Sequence, residues 1–146
     1  MSIWRQILTV DDLNQYQQRT LVTHLGIRYT EIGDDYIRAV MPVDERTKQP
    51  AGILHGGASV TLAETLGSTG ANLVVDRKTQ LCVGLDINAN HVRAMRDGFV
   101  TGTARPIHIG KSTQVWEIKI TDKDDKLVCV SRITMAVLDR SKINSL

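Results

Sequence analysis

The chain has 146 residues, 42% of them hydrophobic and 23% charged, with a formal net charge of +2. That is room for one domain with its own core, held by neither disulfide nor metal, and it is too hydrophobic for a disordered chain. So small a charge, with no dense Lys/Arg run, argues against nucleic acid as a partner, and the lack of any run of about 18 apolar residues argues against membrane insertion.

The first residues, Met1-Ser2-Ile3-Trp4-Arg5-Gln6, lack the basic-then-apolar pattern of a secretory signal. Cys82 and Cys129 have no CxxC neighbour and read as buried packing in a reducing compartment, which makes the expected location cytoplasmic. Thr9 followed by Asp12 reads as the cap of a short helix over 11–18, with Leu13 and Tyr16 turned to the core. The stretches 26–32 and 36–41 alternate as strands, and Gly33-Asp34-Asp35 between them makes a hairpin turn. A polar loop over 44–53 follows, in which Pro50 forces Gln49 to be extended.

After His55-Gly56-Gly57 comes the only long helix candidate, about 58–75, some ~27 Å at the usual rise. Its residues are apolar or small nearly all round, the mark of a buried helix. Gly67 and Gly70 cost it about 1 kcal/mol each against alanine, which close approach of another element would offset. The second half is all strand: 82–92, 99–107, 113–121 and 127–138, separated by turns at Arg96-Asp97-Gly98, Ile109-Gly110-Lys111 and Asp122-Lys123-Asp124-Asp125. Strands joined this way form an antiparallel meander. One long helix against one antiparallel sheet is an α+β layer pair, so residues 1–138 read as a single domain and 139–146 as a polar, frayed tail. Such a sheet leaves edge strands, and pairing them in a homo-oligomer is the expected remedy.

Glu64 is the most informative residue. A carboxylate inside a greasy helix is costly unless it is hydrogen-bonded or has a task, and Ser68 at i+4 is placed to bond it. The alternative is that Glu64 points at solvent. At the helix start, the first amides have no intrahelical partner and lie at the positive end of the dipole, so the Gly56 amide can meet a developing oxyanion; a plain glycine-rich start reads equally well. Gln49 can donate to a carbonyl or hold a water, or be a solvated loop residue. Alternation along Asn88-Ala89-Asn90-His91-Val92-Arg93 puts Asn90 on one face and His91 and Arg93 on the other, where they suit a phosphate or ribose, or simply face water. His24, His55, His91 and His108 form no HxH, HxxxH or Cys-linked pattern, so no metal is expected. There is no GxSxG elbow, GxGxxG or GxxxxGK[ST], so a serine elbow and nucleotide-phosphate loops are not indicated.

Together, the run from Gln49 to Val60 (Gln-Pro-Ala-Gly-Ile-Leu-His-Gly-Gly-Ala-Ser-Val), then Ala63-Glu64 and Gly67-Ser68, resembles the HGG-type hotdog acyl-CoA thioesterases. The stretch 83–93 and Gln114-Val115-Trp116 narrow the resemblance to the group acting on 1,4-dihydroxy-2-naphthoyl-CoA in menaquinone biosynthesis and its proofreading paralogues. The resemblance spans about 4–138. It implies a hotdog fold, with the long helix wrapped by a curved six-stranded sheet, in a dimer paired into a tetramer. It also implies a small-molecule acyl-CoA as substrate, with no cofactor, and a site shared between subunits. In it, Glu64 attacks the thioester or activates water, Gly56 polarises the carbonyl, Gln49 orients the thioester or water, His55 supports the oxyanion loop and Ser68 positions Glu64. His91 and Arg93, with Asn90, Gly110 and Lys111, would hold the CoA. One departure stands at Ala51, where relatives often carry an aromatic residue. The remaining alternatives are carrier-protein thioesters as substrates, or an acyl-CoA-binding hotdog domain without catalysis.

Overall fold

The computed structural model describes residues 1–143. In chain order the elements are α1 (Val10–Tyr16), α2 (Leu21–His24), β1 (Arg28–Ile32), β2 (Ile37–Pro42), α3 (Gly56–Leu73), β3 (Gln80–His91), β4 (Phe99–Ile109), β5 (Thr113–Thr121), β6 (Leu127–Asp139) and a short 3-10 turn, Arg140–Lys142. No described helix is long and apolar enough to cross a membrane.

The strands form one antiparallel sheet in the order β1-β2-β4-β5-β6-β3. The expectation of a simple meander is corrected here. β3 leaves the chain order and pairs with β6, from Gln80 opposite Asp139 to His91 opposite Cys129, so β3 and β1 are the edges. The inward positions of β2 (Ile37, Ala39, Met41) and β5 (Gln114, Trp116, Ile118, Ile120) are buried in strict alternation, and the sheet wraps α3 through them. The result is the expected α+β hotdog arrangement.

α3 is seated by shape. Leu62 and Leu66 are fully buried over Gly102, where a Cβ would lie 2.6 Å from Leu66. Full burial contributes about 1.5–3 kcal/mol for each such leucine. Gly67 and Gly70 answer to sheet side chains rather than to backbone: a Cβ on Gly67 would lie 2.5 Å from Ile133 Cγ2, and one on Gly70 2.8 Å from Trp116 Cζ3. Trp116 donates to Gln114 Oε1 at 2.8 Å, Gln114 donates to the Ala71 carbonyl at 3.3 Å, and the Trp4 ring stacks on Trp116. Thus the Gln114-Val115-Trp116 stretch ties the C-terminal half of α3 to β5 and to the N-terminal segment.

Three further expectations change. The Thr9/Asp12 capping box starts α1 as expected and Leu13 is buried, but Tyr16 is 70% exposed, because α1 ends there and its ring lies over Arg77 instead of the core. A one-turn helix, α2, capped by Thr20, fills a stretch the alternation left blank. The tail does not fray at 139: Asp139 ends β6 and caps the 3-10 turn, and Arg140 donates to the carbonyls of Arg77 and Gln80. Residues 144–146 of the expected tail lie outside the described residues.

Candidate active site

The start of α3 is built by its loop. Thr47, buried, accepts from the Asp44 amide and donates to the Pro42 carbonyl, and its own carbonyl accepts from the His55 amide at 2.8 Å. The Leu54 amide donates to Met95 at 2.8 Å. His55 is the N-cap, its Nδ1 accepting from the Gly57 amide at 2.8 Å. That bond puts the imidazole proton on Nε2 and fixes the ring. The carbonyl of His55 takes the Ala58 and Ser59 amides. The Gly56 amide, at the first helical position, donates to no acceptor among the described residues, and the helix dipole adds positive charge there.

Gly56 lines a cavity of about 390 Å³ with Gln49, Ser59, His91 and Arg93. β3 ends at this cavity, and its last residue stands over the helix start: a Cβ on Gly56 would lie 2.9 Å from His91 Nε2. Gln49 Oε1 accepts from the Ala51 amide at 2.6 Å, which leaves the Gln49 side-chain N–H groups for a ligand. Arg93, exposed, donates Nε to the Leu127 carbonyl at 3.3 Å. The structure thus gathers Gln49, Gly56, His91 and Arg93, with His55 beside them. Asn90 is exposed on the adjoining stretch of β3.

Glu64 is elsewhere. It lies on the same helix eight residues on, about 12 Å along the axis, behind the direction in which the Gly56 amide points. Within one chain its side chain is exposed, which corrects the expectation of a buried carboxylate, and no hydrogen bond joins it to Ser68 among the described residues. Its Oε1 lies against β3, 2.8 Å from where a Cβ on Gly84 would sit. Glu64 of α3 therefore rests against Gly84 of the open edge strand β3, beside exposed Val83 and Leu85. Ser68 faces a second cavity, of about 300 Å³, between α1, α3 and the start of β3.

Gly110 and Lys111 are not brought to the first cavity. Their turn leads into Thr113, which pairs with Ala136 and so lies beside the Val83 end of β3, while His91 is at the other end. Among the described residues, no three His, Cys, Asp or Glu side chains gather as a metal set would. The sequence reading missed Gly84; a glycine inside a strand marks close approach of another group, and here that group is Glu64.

The family model described as "Thioesterase superfamily" matches residues 51–129. The chain is similar to the 1,4-dihydroxy-2-naphthoyl-CoA hydrolase of Escherichia coli, 50% identical over 136 residues, 93% of this chain and 99% of that one. It is 49% identical over 136 residues to the proofreading thioesterase EntH of Cronobacter turicensis, 93% of this chain and 98% of that one. A crystal structure of a Haemophilus influenzae thioesterase superposes with a TM-score of 0.91 at 49% identity, covering 94% of this chain and 95% of that one. A family match across more than half of the residues, with half-identical relatives along nearly the whole length and the same fold, makes this chain a member of the thioesterase superfamily and a thioester hydrolase.

Proposed function

We propose that the protein hydrolyses an aromatic acyl-CoA, with 1,4-dihydroxy-2-naphthoyl-CoA the first substrate to test, and that each site is made by two copies of the chain. The observation that carries this reading is the separation of Glu64 from Gly56 on one helix. A carbonyl held at the Gly56 amide and attacked within about 3.5 Å by a carboxylate needs both groups at one point, which a single helix with these positions does not offer. The exposed edge supplies the remedy. Because Leu85 is bulged, Gly84, under Glu64, and His91, over Gly56, lie three ladder positions either side of Asn88: on β6 they oppose Met135 and Cys129, and Asn88 opposes Arg132. If two β3 strands pair antiparallel about a two-fold axis there, Gly84 of one copy falls opposite His91 of the other. Glu64 then meets the second copy's Gly56. The pairing also covers Val83 and Leu85, the latter 62% exposed in one chain, and closes an unpaired edge. A tetramer built from two such dimers is the assembly the sequence resemblance implies, and Gly110 and Lys111 would join a CoA site only from another copy.

In this site the thioester oxygen takes the Gly56 N–H as negative charge develops. Glu64 then either attacks the carbonyl carbon, giving a mixed anhydride and expelling CoA thiolate before water cleaves the anhydride, or removes a proton from water that attacks directly. Both routes end in free acid and CoA and use only water besides the thioester. Gln49 donates to the carbonyl or water, and His91 and Arg93 meet the CoA. The similarity to a 1,4-dihydroxy-2-naphthoyl-CoA hydrolase supports the substrate. The test is thiol release from that thioester: Glu64→Ala is expected to cut kcat by about 10²–10⁴ with KM little changed, and a near wild-type rate overturns the assignment.

A further inference from the structure

Thr47, Ser59, Gln114 and Ser131 are buried polar residues, and all but Ser59 are bonded. Thr47 donates to the Pro42 carbonyl at 2.7 Å, Gln114 to the Ala71 carbonyl at 3.3 Å and Ser131 to the Asn88 carbonyl at 2.7 Å. Ser59 is 2% exposed, yet its hydroxyl makes no hydrogen bond among the described residues. A serine or threonine inside a helix commonly turns back on the carbonyl four residues earlier, as Thr61 does on Gly57 at 2.9 Å. For Ser59 that carbonyl belongs to His55, which takes the Ala58 and Ser59 amides instead.

No side-chain polar atom sealed within the described residues lacks a partner, so this hydroxyl is open to the cavity of about 390 Å³ that Ser59 lines with Gly56. Burying a hydroxyl without a partner costs stability, and a ligand atom that bonds it removes the cost. Ser59 does not serve the reacting carbonyl. It stands three residues after Gly56, about 4.5 Å back along the axis, whereas the Gly56 amide points the other way. No carboxylate or imidazole is bonded to the hydroxyl among the described residues, so nothing there activates it as a nucleophile. It faces what lies beside the carbonyl. The wall around it is apolar, with Ile53, Leu54, Val92 and Val128, and exposed Arg93 stands in the same cavity. That suits a hydrocarbon chain with a polar group within it and an anion farther out.

We infer that Ser59 is a specificity residue for the thiol half of the substrate, its hydroxyl bonding the amide next to the sulfur in a pantetheine arm. The inference rests on the function proposed above. With the thioester carbonyl on the Gly56 amide, the sulfur arm runs into the cavity past Ser59. Two methylenes separate the sulfur from that amide, a spacer of about 4 Å, which matches the step along the helix from Gly56 to Ser59. The hydroxyl can donate to the amide carbonyl or accept its N–H, and the phosphate end of the arm then leads out toward Arg93. A plain hydrocarbon arm covers the hydroxyl and gives it no partner, so selectivity comes as much from that penalty as from the bond gained. CoA and carrier proteins share this arm, and Ser59 reads what they share.

The probes carry one acyl group, 1,4-dihydroxy-2-naphthoyl, on two small thiols: N-acetylcysteamine, which has the amide, and pentanethiol, which replaces it with hydrocarbon of the same length. Their dissociation constants are measured by calorimetry on the full-length Glu64→Ala protein, which reads recognition without turnover, and thiol release is followed in parallel with Glu64 intact. The readout is the ratio of the two constants, in which the shared acyl group cancels. Adding Ser59→Ala is expected to shift that ratio about five- to tenfold against the amide thioester, as for loss of a neutral hydrogen bond. Ser59→Cys, which keeps the volume but offers only a weak donor, should shift it likewise, whereas a packing role would be kept by the thiol. In the turnover assay of the CoA thioester the loss should appear in KM rather than kcat. An unchanged ratio in Ser59→Ala, a ratio that Ser59→Cys preserves, or a loss confined to kcat overturns the inference. A shifted ratio with no thiol release from any of the thioesters would sustain it and overturn the catalytic reading instead.

Discussion

The carboxylate of Glu64 rests on Gly84, with Oε1 2.8 Å from the point a Cβ would occupy. The bare backbone of an edge strand thereby sets where the only acid on α3 can sit. Gly84→Ala should displace that carboxylate without unfolding anything, because the contact is with the far end of a flexible side chain at an exposed position. Stability should stay within about 0.5 kcal/mol, while kcat falls about ten- to a hundredfold, as for a catalytic group moved by an ångström. Steady-state kinetics beside a thermal melt checks this; wild-type kcat in Gly84→Ala would show that Glu64 is not held there.

Gly56→Pro removes the proposed oxyanion donor at a helix position where proline is tolerated. The expected loss in kcat is about 10²-fold or more. Proline also brings a Cβ against His91, which a second variant separates. If the missing N–H is the cause, adding His91→Ala restores nothing; recovery in the double variant would mean that crowding of His91 was responsible.

Gly67 and Gly70 test the packing of helix on sheet. Alanine gains about 1 kcal/mol of helix propensity, but overpacking costs about 1–3 kcal/mol. At Gly67 the added carbon would meet Ile133 Cγ2 at 2.5 Å, so the clash wins. Gly67→Ala should lower Tm by a few degrees, at about 2–4 °C per kcal/mol for a domain of this size. Denaturant titration measures the same loss, and an unchanged or raised midpoint would contradict the packing described.

Cys82 is buried, its Sγ faces the Ala71 carbonyl, and burial pushes its pKa up to about 11. Burial raises Cys129 as well. At pH 8 almost none of either thiol is thiolate, so the native protein should resist a disulfide reagent that titrates both thiols once denaturant is added. Rapid labelling of the native protein at that pH would place a thiol at the surface.

The fold was legible in the sequence where one physical signal dominated. The Thr9/Asp12 cap, the strand alternation and the long apolar stretch of α3 all stand close to where their residue types put them. The position of β3 was not legible, because local alternation does not say which strand pairs with which, and the chain crosses over to β6. Tyr16 was misplaced because helical spacing extends a face beyond the last turn that has a core to pack on. Gln49, Gly56 and His91 were singled out from donor chemistry, helix-end physics and strand alternation, and the structure gathers them at one cavity. Glu64 stood out as an acid among apolar residues. Its exposure in one chain could not be read from composition, since it follows from the unpaired edge beside it.

The central claim is that Glu64 of one copy acts on a carbonyl held by Gly56 of another. Mixed dimers of Glu64→Ala and Gly56→Pro chains, isolated through two different tags, test it most directly. Shared sites leave one intact site of two, so the mixed dimer should recover about half the wild-type rate although both parent dimers are nearly inactive. A mixed dimer as inactive as its parents would mean that each chain carries its own site, and the account would fail.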